Sequence, residues 1–249
     1  MSELFDRKVF FDNVRGPLFN GTLTQQQVDG MNAILAVWEG TYAARFADLR
    51  WLAYPLATTK HETASTMWPI EEYGKGAGMV YGVKDPETGQ TYYGRGYVQL
   101  TWRDNYKRAT KELRLTGAQD LEWHAEQALD PFIAGHTMFR GMIEGWFRSD
   151  SQGAQILARY FDDDTDDAYT AREIINGDRK TIPSWSNGVS IGNLIKGYHE
   201  KFLKALETSF VASMPDGRPS PVVVALHMES GTRYEVLINQ VTVAEGEAD

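Results

Sequence analysis

The 249-residue sequence predicts a mainly α-helical body over roughly residues 1–213, followed by a small β element over 214–249. Three observations carry that prediction. Apolar residues recur at helical spacing in most segments between residues 24 and 210. The one long stretch without such spacing, 68–97, is rich in glycine and reads as loops. Apart from one short hairpin at the end of that stretch, strand-like runs fall beyond Met214.

Taken in order, the first helix runs from Thr24, a suitable cap, to Trp38, with Val28, Met31, Ile34, Leu35 and Trp38 on one face. A second spans about Ala47 to Thr63, and Pro55 within it either kinks it or marks its start. The glycine-rich stretch follows and ends in a short hairpin, TYYGRGYVQLT. Helical patterns return at Trp102–Leu113, Trp123–Leu129, Pro131–Glu144, Ala154–Tyr160, Asp167–Ile175 and Ile191–Phe210. PDGRPSP reads as a linker, PVVVALHM and RYEVLINQVTV as strand-like runs forming a small hairpin or a short three-strand meander around an ESGT turn, and the tail after Val243 as disordered.

Composition excludes several classes. A chain that is 42 % hydrophobic and 24 % charged is ordinary for a globular protein with a sizeable core. With no cysteine, it has neither disulfides nor a thiolate metal site. A net charge of −9, with no Lys/Arg run, argues against a nucleic-acid partner. No apolar run approaches the roughly 18 residues of a membrane span, so no membrane anchor is expected. The charged N-terminus lacks a signal-peptide run, so synthesis in the cytoplasm is expected.

Several short segments carry polar groups suited to chemistry. KHETAS, Lys60–Ser65, places His61 and Glu62 at the end of an otherwise apolar helix. A zinc protease would need a second His where Ser65 stands, so a metal site is not expected there. Glu62 is then either a surface carboxylate beside a packed His61 or a general acid kept protonated by apolar surroundings near Trp or Tyr. Glu71, Glu72 and, further on, Asp85 are the available second carboxylates. An inverting glycosidase would hold such a pair about 6.5–9.5 Å apart around the attacking water.

In YYGRGYVQLTWRDNY, Gly94 and Gly96 bracket Arg95 in a tight turn, and Gln99, Thr101 and Asn105 offer amide and hydroxyl groups suited to sugars. GRG is too short for a nucleotide loop. Asp162, Asp164, Asp166 and Glu173 fall at calcium-loop positions, but Asp167 replaces the turn glycine, and a solvated acidic loop is expected instead. Asn176-Gly177 is a helix stop signal.

Three ordered blocks, ATTKHETAS, YYGRGYVQLTWRDNY and AREIINGD with the helix IKGYHEKFLKAL behind it, resemble glycoside hydrolase family 19 over roughly residues 25–208. This is the chitinase family that also contains bacteriophage endolysins. The resemblance implies a lysozyme-like, two-lobed helical fold around a sugar-binding cleft, and hydrolysis with inversion at the anomeric carbon. It implies Glu62 as general acid, Thr101 as a holder of the attacking water, and sugar contacts from Gln99, Asn105 and Asn176; His61, Glu71 and Tyr93 are further candidate substrate contacts. Endolysin-type members place the second carboxylate at a shorter spacing than plant-type ones, which fits Glu72 best, with Glu71 a close rival and Asp85 a distant one. The implied substrate is the β-1,4-linked amino-sugar strand of peptidoglycan, or chitin. The alternative from another class is a glycan-binding or virion structural protein. No cofactor is implied, a monomer is expected, and a holin-type partner would release the enzyme to the cell wall.

Overall fold

Helix α3 (Arg50–Glu62) is covered on all sides, with every residue from Leu52 to Lys60 buried. It belongs to a computed structural model that describes residues 4–211 in full, together with the backbone of residues 233–238 and 241–247. Pro55 lies inside α3 without ending it, and the helix starts where Asp48 accepts a hydrogen bond from the Arg50 amide at 2.9 Å.

Helix α6 (Ile191–Ser209) packs along both α3 and α1 (Arg7–Phe19), α2 (Gln25–Val37) packs on α5 (Pro131–Glu144), and the apolar faces of all five share one large core. Helix α1 was not expected from the sequence, because the charges around Arg7 and Lys8 mask its pattern. Asp6 caps it by accepting from the Val9 amide at 2.9 Å, and Phe10, Val14 and Leu18 bury one face. Helix α2 begins at Thr24 with a capping box to Gln27 and continues into a π-helical turn at Trp38–Tyr42. The two ends of the body meet: the Asp6 amide donates to Ser209 O and the Val211 amide to Leu4 O, each at 2.8 Å.

A second, smaller core collects Tyr92, Leu100, Tyr106, Leu121, Ala125 and Trp146 around α4 (Arg103–Leu113) and the start of α5. The described body is thus mainly helical with two cores. Several expected elements take other forms. Trp123–Leu129 and Asp167–Ile175 shorten to 3-10 turns at Ala125–Leu129 and Thr170–Ile174. In place of a helix over Ala154–Tyr160 the chain forms a small hairpin, β3 (Ser149–Asp150) with β4 (Gly153–Ala154), and a 3-10 turn at Leu157–Arg159. Gly153, at φ 112°, supplies the turn that a helix would not allow.

The glycine-rich stretch contains a strand that sequence periodicity could not show. β1 (Ile70–Glu71) pairs antiparallel with β2 (Arg95–Gly96), and the expected local hairpin reduces to an Arg95–Leu100 bridge. Near the C-terminus, RYEVLINQVTV is not one strand. It divides into β5 (Arg233–Ile238) and β6 (Val241–Glu247), paired antiparallel with a bulge at Val236/Leu237. Ala244–Glu247, expected to be disordered, belong to β6. The expected PVVVALHM strand and PDGRPSP linker lie outside the described residues.

The acidic loop is organised by Arg50, which donates to the carbonyls of Asp162 and Thr165 at 2.9 and 3.0 Å. The Asp162 carboxylate caps its own turn, and Glu173 pairs with Arg148 and Arg179. Among the described residues no helix is long and apolar enough to cross a membrane.

One buried group makes stability pH-dependent. His199 on α6 is 2 % exposed, stacks on Phe161 and leaves both ring nitrogens without a hydrogen-bond partner. Burial pushes its pKa down to about 4, against the smaller upward pull of Asp166, whose carboxylate lies 4.0 Å away. The unfolded chain takes up this proton near pH 6.5 and the folded chain only near 4. Stability therefore falls as pH drops through that window, by about 3 kcal/mol from this residue, and is unaffected above it. Urea unfolding of the wild type and of His199→Phe at pH 7 and pH 4 should show the smaller loss in the variant. Equal losses would assign the acid sensitivity elsewhere.

Candidate functional site

Glu62 closes helix α3, and the residues after it turn the chain sharply. The Thr63 hydroxyl donates to Thr59 O at 2.7 Å and accepts from the Met67 amide at 3.1 Å. Lys60 donates to the Ser65 hydroxyl at 2.8 Å, and Gln27 of the α2 capping box reaches Ser65 O at 2.9 Å. Gly30 of α2 leaves room for the Met67 carbonyl, which a Cβ there would meet at 1.8 Å. Ala64, Ser65 and Met67 all have positive φ, a conformation these bonds must hold. The small and hydroxylated residues of KHETAS thus fix the direction in which Glu62 leaves its helix.

The Glu62 carboxylate accepts a hydrogen bond from Arg172, not the apolar Trp or Tyr contact expected from the sequence. Arg172 is 2 % exposed and also binds Asp178 through Nε at 2.7 Å and Nη2 at 3.1 Å. Burial opposes the Arg172 charge, yet Asp178 and Glu62 outweigh it and raise its pKa. Burial likewise works against the Asp178 charge, but the Arg172 hydrogen bonds and charge hold this carboxyl below the ordinary range. Asn176 donates its side-chain amide to Asp178 at 3.1 Å, so it belongs to the same network.

The other half of the site is built on the β1–β2 pair. Glu72 follows β1, and its amide donates to Gly94 O at 2.7 Å. Its carboxylate accepts from the Gly94 amide at 3.2 Å and from the Tyr81 hydroxyl at 3.3 Å. A Cβ at Gly94 would meet Gln99 Oε1 at 2.8 Å, so a larger residue there would push the Gln99 side chain aside. Gly96 sits at φ 89°, where glycine carries no penalty. Between the two, Arg95 is buried, with its guanidinium 3.7 Å over the Tyr93 ring and hydrogen bonds to Thr91 O and the Tyr106 hydroxyl. Gln99 donates to Ile70 O at 3.2 Å and Thr101 donates to Gln99 O at 2.8 Å.

Glu62, Glu72, Tyr81, Gly94, Val98, Gln99, Thr101, Ile175 and Asn176 line one cleft of about 260 Å³. The structure therefore brings together five of the residues singled out from the sequence: Glu62, Glu72, Gln99, Thr101 and Asn176. His61 sits beside them on α3, its ring 6.3 Å from that of Trp185. The others lie outside the lining. Glu71 accepts from Tyr93 at 2.5 Å and pairs with Lys75 at 2.9 Å, and these bonds hold its pKa low. Tyr93 is buried under Arg95. Asn105 donates to Thr101 O at 2.7 Å and so supports the segment that carries Thr101. Asp85 caps its own turn and pairs with Arg103 at 3.1 Å.

Sequence reasoning missed Tyr81, Arg172 and Asp178. A lone Arg in the short apolar run AREII, six residues before an Asp, was the available signal for the last two. Tyr81 had none, because it lies in an aperiodic loop.

No protein-family model and no curated protein matches the chain. Among solved structures it is similar to chitinase C from Streptomyces griseus HUT6037, with 20 % identity, 84 % of this chain and 95 % of that chain covered, and a TM-score of 0.49. It is also similar to a family GH19, class IV chitinase from Zea mays, with 19 % identity, 80 % and 90 % covered, and a TM-score of 0.47. A bacterial family 19 chitinase gives 18 % identity, 82 % and 95 % covered, and a TM-score of 0.43.

Replacing Arg172 by Met leaves two largely buried carboxylates without their counter-charge. The expected loss is about 3 kcal/mol at pH 7. Because Asp178 is held ionised by Arg172, the difference from wild type should shrink as pH falls through its lowered pKa. Urea midpoints at pH 7 and pH 3 measure both effects, and a variant as stable as wild type at pH 7 would show that the network contributes nothing to folding.

Proposed function

We propose that the chain is a glycoside hydrolase that cleaves β-1,4 bonds of peptidoglycan glycan strands with inversion. The observation that carries this reading is that Glu62 and Glu72 line the same cleft, together with the hydroxyl and amide groups of Thr101, Gln99 and Asn176. Glu62 protonates the leaving glycosidic oxygen. Glu72 removes a proton from water on the other face of the sugar. Thr101 gives its own proton to Gln99 O, so its oxygen is free to accept the water's second hydrogen. Gln99 and Asn176 meet hydroxyl and N-acetyl groups. No step requires a metal or organic cofactor.

The spacing of the two carboxylates supports peptidoglycan as substrate. Of Glu71, Glu72 and Asp85, only Glu72 lines the cleft, and its short distance in sequence from Glu62 is the endolysin-type pattern of the resembled family. In that reading the enzyme acts as a monomer, and a holin-type partner gives it access to the wall. Chitin is the second reading, favoured by the same cleft, because both polymers present the hydroxyl and N-acetyl groups that Gln99, Thr101 and Asn176 suit.

Clearing of purified peptidoglycan and release of reducing ends from chitin oligomers, measured in parallel, test the proposal. Glu62→Gln and Glu72→Gln should each lower the rate by about 10²–10⁴-fold with the fold intact. Peptidoglycan cleavage by wild type alone supports the lysin. Cleavage of chitin only moves the substrate to the second reading. A folded wild type silent on both polymers overturns the enzymatic reading in favour of a glycan-binding or virion structural role.

A further inference from the structure

The segment that leaves the cleft after Asp178 presents an indole to solvent beside the helix that carries Glu62. Trp185 is 63 % exposed, and its ring centroid lies 6.3 Å from that of His61 at an interplanar angle of 38°. Exposure of a large aromatic on a loose loop is unremarkable, but this loop is fastened along its length. The Thr181 amide donates to Asp178 O at 2.8 Å, the Ile191 amide to Thr181 O at 2.9 Å and the Gly192 amide to Arg179 O at 3.0 Å. Next to the indole, Ser186 is buried and donates to Pro183 O from both its amide, at 3.0 Å, and its hydroxyl, at 2.8 Å. The backbone that carries the ring is therefore ordered and the indole keeps a face in water, which is what a stacking platform needs and what folding alone does not require.

Its surroundings identify the occupant. His61, the ring it packs against, immediately precedes the cleft-lining Glu62 on α3, so the indole lies beside the Glu62 end of the cleft. Burial pushes the His61 pKa below that of a free imidazole, so the ring beside Trp185 is neutral near pH 7 and can both donate and accept hydrogen bonds. A flat apolar face next to a neutral hydrogen-bonding group suits a pyranose, which has an apolar face and a rim of hydroxyls. The net charge of −9 speaks against an anionic lipid surface.

We propose that Trp185 and His61 form a further sugar subsite that extends the Glu62–Glu72 cleft, with the indole stacked on one ring of an N-acetylated amino-sugar polymer and His61 bonded to its hydroxyls. The proposal rests on the glycan reading of the cleft. The subsite lies beyond the reacting bond, so it strengthens the binding of long chains and leaves the chemical step alone.

The test uses the full chain carrying Glu62→Gln, titrated calorimetrically with N-acetylglucosamine oligomers of two to six units and with a soluble peptidoglycan glycan fragment. Adding Trp185→Ala should weaken binding of the longest chains roughly three- to tenfold, the range of one stacked aromatic contact, and leave the dimer unchanged. Trp185→Phe should recover most of the loss. Trp123→Ala, at another exposed indole on a segment that contributes nothing to the cleft, should change nothing. In otherwise wild-type enzyme Trp185→Ala should raise KM for long chains at constant kcat. Equal affinities with and without Trp185 at every length would overturn the subsite while leaving the cleft's reading intact. Absence of binding to any glycan by the Glu62→Gln protein itself would overturn that reading, and the subsite with it.

Discussion

The site depends on one buried cation. Arg172 is almost fully withdrawn from water, and only its two carboxylate partners make that position tolerable. Replacing a buried ion pair with apolar groups is often neutral or stabilising, so the network is better understood as a constraint on geometry than as a source of stability. It ties the end of α3 to the 170–178 segment, which are separated by over a hundred residues in sequence. It also reaches the cleft surface, because Asp178, pinned by Arg172, in turn receives the Asn176 amide. Two groups of the cleft lining, the Glu62 carboxylate and the Asn176 amide, are thereby set by the same guanidinium.

Backbone strain is concentrated where that geometry is needed. Ala64, Ser65 and Met67 follow Glu62, and Gln99 and Trp102 flank Thr101, all at positive φ without being glycine. Each such residue costs on the order of 1–3 kcal/mol and persists only if neighbours over-determine it. The neighbours are identifiable. Gln27, Lys60 and Thr63 hold the first segment, while the Asn105 amide and the paired Arg95–Leu100 backbone hold the second. Asn105 and Lys60, both within the blocks that carry the family resemblance, have these supporting bonds to account for them.

Much of this was legible in the sequence, and the gaps have physical causes. Helices with clear caps, such as those begun by Thr24, Asp130 and Ser190, could be located because a side-chain oxygen ahead of an apolar stripe is a local signal. Helix α1 escaped because its apolar face is interrupted by Gly16-Pro17 and preceded by charges. β1 escaped because two residues show no period, and their partners Gly96 and Arg95 are distant in sequence. The choice between Glu71 and Glu72 could not be made locally. Adjacent residues on an extended chain point to opposite sides, and which side faces the cleft depends on where Tyr93 and Arg95 are buried. Tyr93, read from the sequence as a sugar contact, is buried under Arg95 and donates its hydroxyl to Glu71.

The two cleft carboxylates are held by different kinds of partner. Arg172 bonds Glu62 with a guanidinium that it shares with Asp178, so the position of Glu62 is tied to the 170–178 segment. Among the described residues Glu72 accepts from neutral donors, the Gly94 amide and the Tyr81 hydroxyl. Charge-assisted hydrogen bonds are stronger than neutral ones, so the guanidinium fastens Glu62 to the protein more firmly than the amide and hydroxyl fasten Glu72. One cleft thus carries one carboxylate set by a buried ion-pair network and another set by neutral dipoles on the β1–β2 side.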